Sequence, residues 1–378
     1  MSPYLDLHVL QSVPPSNVNR DENGSPKEAT YGGVRRARVS SQAWKRAIRS
    51  DFGTRLDTSQ LAARTKRHVD KIASRITELE PSLGDEQAET HAQQLLKALG
   101  VKVEKPKRKK DDASPEGSAE SSYLIFLSNL QIANLAELAV RHAGAGTEPG
   151  KREVSDVAQA DHSVDIALFG RMVADLTDLR VDAAAQVAHA ISVHSVSTEF
   201  DYFTAVDDHA TGEHAGAGMI GTVEFNSSML YRYATMNVPA LLANLGDPAA
   251  TVEACSAFLH AFIRSMPTGK QNTFAHRTLP HAVVATLRPD QPVNLVGAFE
   301  DPVERTTSES RLRRASSALA THAQQIDVAY GRPPGLQSWI VTAHDDAASL
   351  HTIGTDVNDV ASLAEAVTTA LRDTLEPS

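Results

Sequence analysis

Between Tyr31 and Ser50 the chain reads YGGVRRARVSSQAWKRAIRS, with six cations (Arg35, Arg36, Arg38, Lys45, Arg46, Arg49) and no carboxylate. Cations at that density, interleaved with serine hydroxyls, have the chemistry of an anion-binding surface. The protein as a whole is acidic, with a formal net charge of −10. Residues 1–60 hold nine Lys or Arg against six Asp or Glu, a net of +3, which leaves −13 for residues 61–378. The positive charge is therefore local, and overall acidity excludes no polyanionic partner.

The segment predicts a glycine turn, a β-branched edge over Val34 to Val39, and a helix opening at Ser40 or Ser41. Serine before an apolar-periodic run is a favourable N-cap, because its hydroxyl accepts from an orphaned backbone N–H. Helical spacing puts Ala43, Trp44, Ala47, Ile48 and Phe52 on one face and Gln42, Lys45, Arg46 and Arg49 on the other. The first turn adds exposed N–H groups and the positive end of the helix dipole, so Ser40, Ser41 and Gln42 stand where a phosphate is well received. A solvated amphipathic helix with ordinary surface cations fits the same pattern.

Other motifs carry less chemistry. Gly216 to Gly221, GAGMIG, matches G-x-G-x-x-G, but a polar loop precedes it and a strand follows, so it lacks the strand and helix of a dinucleotide site. Its glycines are expected to give a hairpin backbone freedom. None of the fifteen histidines falls in HExxH, and the lone Cys255 excludes a cysteine-rich zinc site. His189 and His194, five apart on an expected strand, point to opposite faces. His8 reads as a surface or sheet-packing residue. Asp207-Asp208-His209 reads as a solvated acidic turn, with two metal carboxylates and a base as the alternative. No metal, cofactor or catalytic constellation is expected.

At 378 residues and 41% hydrophobic content, the chain can bury a sizeable core as one large or two smaller domains. One cysteine fits a reduced, cytoplasmic compartment. The N-terminus has no basic n-region, and no apolar run reaches membrane-spanning length.

Leu5 to Val13 alternates as a first strand with one face on the core, followed by a Pro- and Asn-rich loop, too polar to pack, that carries Arg20 and Lys27. Residues 61–80, 85–99 and 129–142 read as helices, the last capped by Ser128, and the charged stretch around 104–121 as a mobile linker. Val187 to Val196 and Thr222 to Thr235 read as antiparallel partners separated by a glycine-rich excursion. A helix over 252–265, a strand over 281–287, a helix over 308–330, a strand over 337–343 and a helix over 361–375 complete the chain. The pattern is an α+β sheet domain with a helical insertion.

Taken together, LDLHVLQSVPPSNVNRDENGSPKEATYGGVRRARVSSQAWKRAIR, VDIALFGRM, AHAISVHSV, DYFTAVDD and EFNSSMLYRYATMN closely resemble the CasC family, the backbone subunit of the type I-E CRISPR surveillance complex Cascade. The resemblance implies an RRM-like, ferredoxin-type antiparallel palm (1–57 and 187–378), a helical fingers insertion (58–186) and a protruding thumb hairpin (199–226). It implies a non-catalytic subunit that polymerises head to tail on the guide RNA, joins other Cascade subunits, and leaves bases free to pair with target DNA. By matching position, Arg20, Lys27, Ser40, Gln42, Lys45 and Arg49 would hold the guide backbone. Met172, with Phe203 and Thr204 at the thumb base, would wedge against a displaced nucleotide. The alternatives are a metal-dependent endoribonuclease that processes guide RNA through Asp207, Asp208 and a histidine, and a protein-only scaffold.

Overall fold

The computed structural model describes residues 3–105, 119–172, 179–205 and 219–375. The chain opens with β1 (Tyr4–Ser16), β2 (Glu28–Tyr31), β3 (Val34–Val39) and α1 (Ser41–Phe52). It continues through β4 (Ala62–Thr65), α2 (His68–Leu79), α3 (Gly84–Ala98), β5 (Val103–Glu104), β6 (Glu120–Ser121), β7 (Ile125–Ser128), α4 (Asn129–Ala145), α5 (Lys151–Gln159) and α6 (Val164–Phe169). Then come β8 (Ala185–Val187), β9 (Ala190–Ser192), β10 (Glu199–Ala205), β11 (Met219–Asn237), α7 (Val238–Leu245), α8 (Pro248–Arg264) and α9 (Gln271–Phe274). The chain ends with β12 (Ala282–Arg288), α10 (Arg311–Tyr330), β13 (Gln337–Thr342), β14 (Thr355–Asp356) and α11 (Val360–Leu375). No helix among the described residues is long and apolar enough to cross a membrane.

Two compact units emerge: Met1–Asp51 with Gln186–Val238 and Val252–Ser378, and Phe52–Ala185 with Pro239–Thr251. The first is an α+β unit built on one large sheet, ordered β14-β13-β12-β1-β11-β9-β3-β2, with β8 and β10 also paired to β11. All its pairs with a resolved register are antiparallel except β13 with β14.

Alternation along β1 predicts one solvated face, but the strand is central and buried on both. Leu5, Leu7 and Val9 are fully buried, and so are Asp6 and Gln11, with His8 at 3% exposure. The polar residues stay inside because each finds a partner. Asp6 accepts from Tyr233 Oη at 3.0 Å and from the Val293 N–H at 2.9 Å, and His8 Nδ1 lies 2.9 Å from Tyr231 Oη. A buried polar group that is fully hydrogen-bonded escapes most of the cost of leaving water.

The loop after β1 also packs, contrary to its composition. Asn17 is fully buried and its Nδ2 donates to the carbonyls of Gly24 and Glu224 at 2.8 and 2.9 Å. Asp21 Oδ1 accepts from the N–H groups of Asn23 and Ser25, an Asx turn that folds the loop back on itself. The expected strand over 187–196 is interrupted after β9. Ser192 Oγ accepts from the Ala37 N–H and donates to the His194 carbonyl, so a side chain replaces the ladder and the backbone turns away.

The second unit is mostly helical. Val69, Ile72 and Ile76 of α2, Leu95 and Leu96 of α3, and Leu135 and Leu138 of α4 share one core. Ser128 and Gln131 form a capping box at the start of α4, as the sequence predicts for Ser128. Residues 61–80 do not form one helix. Ala62–Thr65 pairs with Ile125–Ser128 as a β-ribbon, and α2 begins only at His68. An available strand partner overrides the helix propensity of Ala62, Ala63 and Arg64, because intrinsic propensity over so short a run yields to tertiary pairing.

Candidate nucleic-acid interface

Helix α1 sorts its faces as its spacing predicts. Trp44, Ile48 and Phe52 are buried, Gln42 and Arg46 are exposed, and Lys45 and Arg49 lie between, with burial drawing the Lys45 pKa down. Ser40 caps the helix, its Oγ accepting from the Ala43 N–H at 3.3 Å. Only 9% of Ser40 is exposed, so its hydroxyl serves the helix first and keeps its own hydrogen to donate.

The loop residues are brought to this helix by named bonds. Asn19 Oδ1 accepts the Ser40 N–H at 2.8 Å, and the Asn19 carbonyl accepts the Lys27 N–H at 2.8 Å. Lys27 in turn accepts from the Arg38 N–H at 2.9 Å. Exposed Arg20 sits at a backbone bridge to Pro26 within the same loop. Arg20 and Lys27 are thus tied to the cationic face that holds Gln42, Lys45 and Arg49. Asn19 carried no signal in composition, because an asparagine in a polar loop looks like any other.

The remaining arginines divide sharply. Arg36 is fully buried and donates to the carbonyls of Tyr31, Ser192, Phe299 and Glu300, so it braces the fold. Arg35 pairs with Glu28 at 3.2 Å, a carboxylate just outside the acid-free window that pairing of β2 with β3 brings alongside. Arg38 donates to the Glu28 carbonyl and stands 3.1 Å from His189 Nδ1. Burial and the nearby charges of Arg38 and Lys27 push the His189 pKa down, so that imidazole is neutral at physiological pH. His194, by contrast, is buried, accepting from the Met229 N–H and donating to the Ser195 carbonyl.

Strand β10 pairs with the first part of β11, and Phe203 lies opposite Gly221. A Cβ on Gly221 would stand 2.5 Å from Phe203 Cζ, so the missing side chain makes room for the ring. This replaces the expected role of backbone freedom, since Gly221 is not among the positive-φ glycines. Phe203 is 37% exposed, with Phe200 at 69% and Tyr202 at 61%. Thr204 follows within β10. Residues 206–218, which include Asp207, Asp208, His209 and Gly216, lie outside the described residues, as does most of the 104–121 linker.

Met172 belongs to the second unit and is 91% exposed. Its neighbour Arg171 is buried and donates to the carbonyls of Leu179, Phe126 and Ala158 and to Gln131 Oε1. A buried guanidinium with four acceptors fixes the backbone from which an exposed methionine projects. Cys255 is buried in α8, and burial raises its thiol to about 12, which keeps it protonated and unreactive. Among the described residues, no three His, Cys, Asp or Glu side chains are grouped to hold a metal.

A protein-family model described as CT1975-like protein matches residues 5–369. A chain of a solved structure described as "CRISPR RNA-guided surveillance complex, pre-nicking" is 33% identical, with a TM-score of 0.83, and the match covers 97% of this chain and 100% of that one. A chain of a second, described as "CRISPR RNA-guided surveillance complex", is 30% identical with a TM-score of 0.73, over 97% and 99% of the two chains. A search of curated protein sequences gives no match.

Proposed function

Because the chain belongs to the CT1975-like, CasC-type family, we propose that it is a non-catalytic backbone subunit of a type I-E Cascade, binding guide RNA as a head-to-tail oligomer. The observation that carries this reading is the joining of Arg20 and Lys27 to the α1 cations through Asn19 and Ser40. Such a surface grips phosphates and ignores base identity, as a protein that must accept any spacer requires.

In this reading the first unit is an RRM-like palm, the second the fingers, and the β10–β11 ribbon the base of a thumb. Arg20, Lys27, Gln42, Lys45 and Arg49 hold guide phosphates, with the Ser40 hydroxyl and the first-turn N–H groups of α1 beside them. Phe203 and Thr204 on the ribbon take the place of a lost stacking partner where a nucleotide is turned out, and exposed Met172 of the fingers offers an apolar contact of the same kind in its own unit. Base–aromatic stacking is worth about 1–3 kcal/mol per base, enough to offset the cost of unstacking at each such step. Target DNA is read by pairing with the exposed guide bases, and the protein itself contributes no sequence reading.

Co-purification tests this. Expressed with a guide RNA, the chain should elute as a large assembly with nucleic-acid absorbance, and without guide as a small species. A chain that elutes identically in both cases refutes the reading, and cleavage of precursor RNA by the pure chain would replace it with an endoribonuclease.

A further inference from the structure

Beneath α1 lies a buried cation with no acidic counterpart. Arg232 of β11 is 1% exposed, and its guanidinium carbon stands 3.7 Å from the centre of the Trp44 ring and 4.6 Å from that of Phe262. Its Nη1 donates to Gln11 Oε1 at 2.6 Å and its Nη2 to the Phe262 carbonyl. Both acceptors are neutral, and among the described residues no carboxylate pairs with it. Burial draws its pKa down only to about 9, so it remains charged at neutral pH.

That arrangement is costly for stability alone. A buried charge is normally paired with an opposite one, and replacing a buried ionic group by an apolar side chain of similar volume is often neutral or stabilising. Arg232 Nε and Trp44 Nε1 also lack hydrogen-bond partners among the described residues. The site sacrifices polar satisfaction to keep a guanidinium over the ring of Trp44, the largest side chain on the buried face of α1.

We propose that Arg232 is a positioning residue for the guide-binding face: held over the ring of Trp44, it fixes α1, and its uncompensated charge makes the RNA phosphates on the far side of the helix its counter-ions. This rests on the RNA-binding reading above. An α-helix with side chains is about 10–12 Å across, so the charge lies within roughly one Debye length of the outer face. The protein between them has a lower effective dielectric than water, which preserves the field. A cation held there attracts phosphate without spending its hydrogen bonds on it and without favouring any base.

The test uses the full chain, a guide RNA, and Arg232→Met and Arg232→Lys variants. Arg232→Met removes the charge while keeping an unbranched apolar stem. Its RNA affinity should fall about ten-fold, the effect of one unit charge acting over roughly 12 Å at an effective dielectric constant of about 20, with no matching loss of Tm. Arg232→Lys should bind within about two-fold of the parent below neutral pH. It should then weaken as rising pH discharges the buried amine, whose pKa desolvation depresses, while the parent's affinity stays flat over the same range. If both variants bind like the parent, or both weaken only in step with lost Tm, Arg232 is a packing residue and the proposal is wrong. Should Arg232→Met fail to fold, the pH profile of Arg232→Lys decides alone, and a profile parallel to the parent's overturns the proposal. A parent chain that binds no RNA sinks the functional reading and this inference together, whereas parent binding with unaltered variants sinks only the inference.

Discussion

The Asn19 side-chain oxygen accepts the backbone N–H of Ser40 at 2.8 Å, twenty-one residues along the chain. The same residue's carbonyl holds the Lys27 N–H. One asparagine therefore sets the distance between the loop cations and the first turn of α1. Backbone-reading surfaces depend on such spacing, because phosphates recur at fixed intervals and a displaced cation meets none of them.

Replacing Asn19 separates geometry from charge. Asn19→Ala leaves the partly buried Ser40 N–H without its acceptor, which costs about 1–3 kcal/mol, and it should weaken guide binding as the loop loosens. Asn19→Asp keeps the acceptor, so denaturant unfolding should shift by less than about 1 kcal/mol. It nevertheless adds a negative charge beside the phosphates, so its guide affinity should fall, most at low salt. Equal affinity for Asn19→Asp and the parent would place the guide away from this loop.

Lys45 and Arg49 give the salt test. Replacing both by Ala should weaken binding about equally for unrelated spacers and flatten the dependence of log affinity on log salt. The slope changes by about 0.7 per lost contact to a single strand, so by about 1.4 for two. Titrations over 50–300 mM salt measure it directly. A loss confined to certain spacer sequences would mean base reading instead.

Much of this surface was legible in the sequence, and the reason is periodicity. The faces of α1 follow from a helix period of about 3.6 residues, and the Ser40 cap from the chemistry of a side-chain oxygen before an apolar run. What stayed hidden was pairing across distance. Arg35 appears free of carboxylates in its own segment, yet Glu28 reaches it across a β-ladder. Arg36 looks like a surface cation and is instead held by four carbonyls. Asp6 and His8 look like the solvated face of β1 and are core residues, because partners that satisfy them arrive from residues 231–233 and 293. The run at 62–65 has the pattern of a helix and forms a strand, because its partner at 125–128 is invisible to any local window.

Gly221 offers a test of the ribbon. Gly221→Val places side-chain atoms where the Phe203 ring now lies, since even a Cβ would be 2.5 Å from Cζ. The ring must rotate away, while valine suits a strand position at Gly221 in its own right. Thermal stability should change little, whereas chemical footprinting of the bound guide should lose its regular spacing. Gly221→Val combined with Phe203→Ala removes the ring that must move, so its stability should stay near the parent's while the footprint stays as disturbed as in the single variant. An unchanged footprint in the single variant would remove Phe203 from the guide contact.

The buried histidine of β1 sets an acid limit on the first unit. Burial drives the His8 pKa from an ordinary 6.5 down to about 3, with Arg288 adding repulsion. Between those values the unfolded chain binds a proton that the folded chain does not, so stability is full above about pH 6.5 and is lost as pH falls toward 3. The loss approaches about 1.4 kcal/mol per pH unit once the unfolded histidine is protonated. Asp6 acts in the opposite sense: burial raises its pKa to about 6, so the folded state holds the extra proton and gains stability as pH falls from 6 to 3.8. Between pH 6 and 4 these two contributions should nearly cancel, and below pH 4, where the Asp6 gain is complete, the His8 loss continues toward pH 3. His8→Phe keeps a ring within reach of Tyr233, whose centroid now lies 5.2 Å from the imidazole, and removes the titration. In that variant the His8 loss is gone, so denaturant unfolding should show its stability relative to the parent's rising as pH falls from 6.5 to 4, while the other histidines whose pKa burial lowers, His194 and His281 among them, contribute equally to both. A variant profile that tracks the parent through this range would show that His8 is already accessible to protons in the folded state.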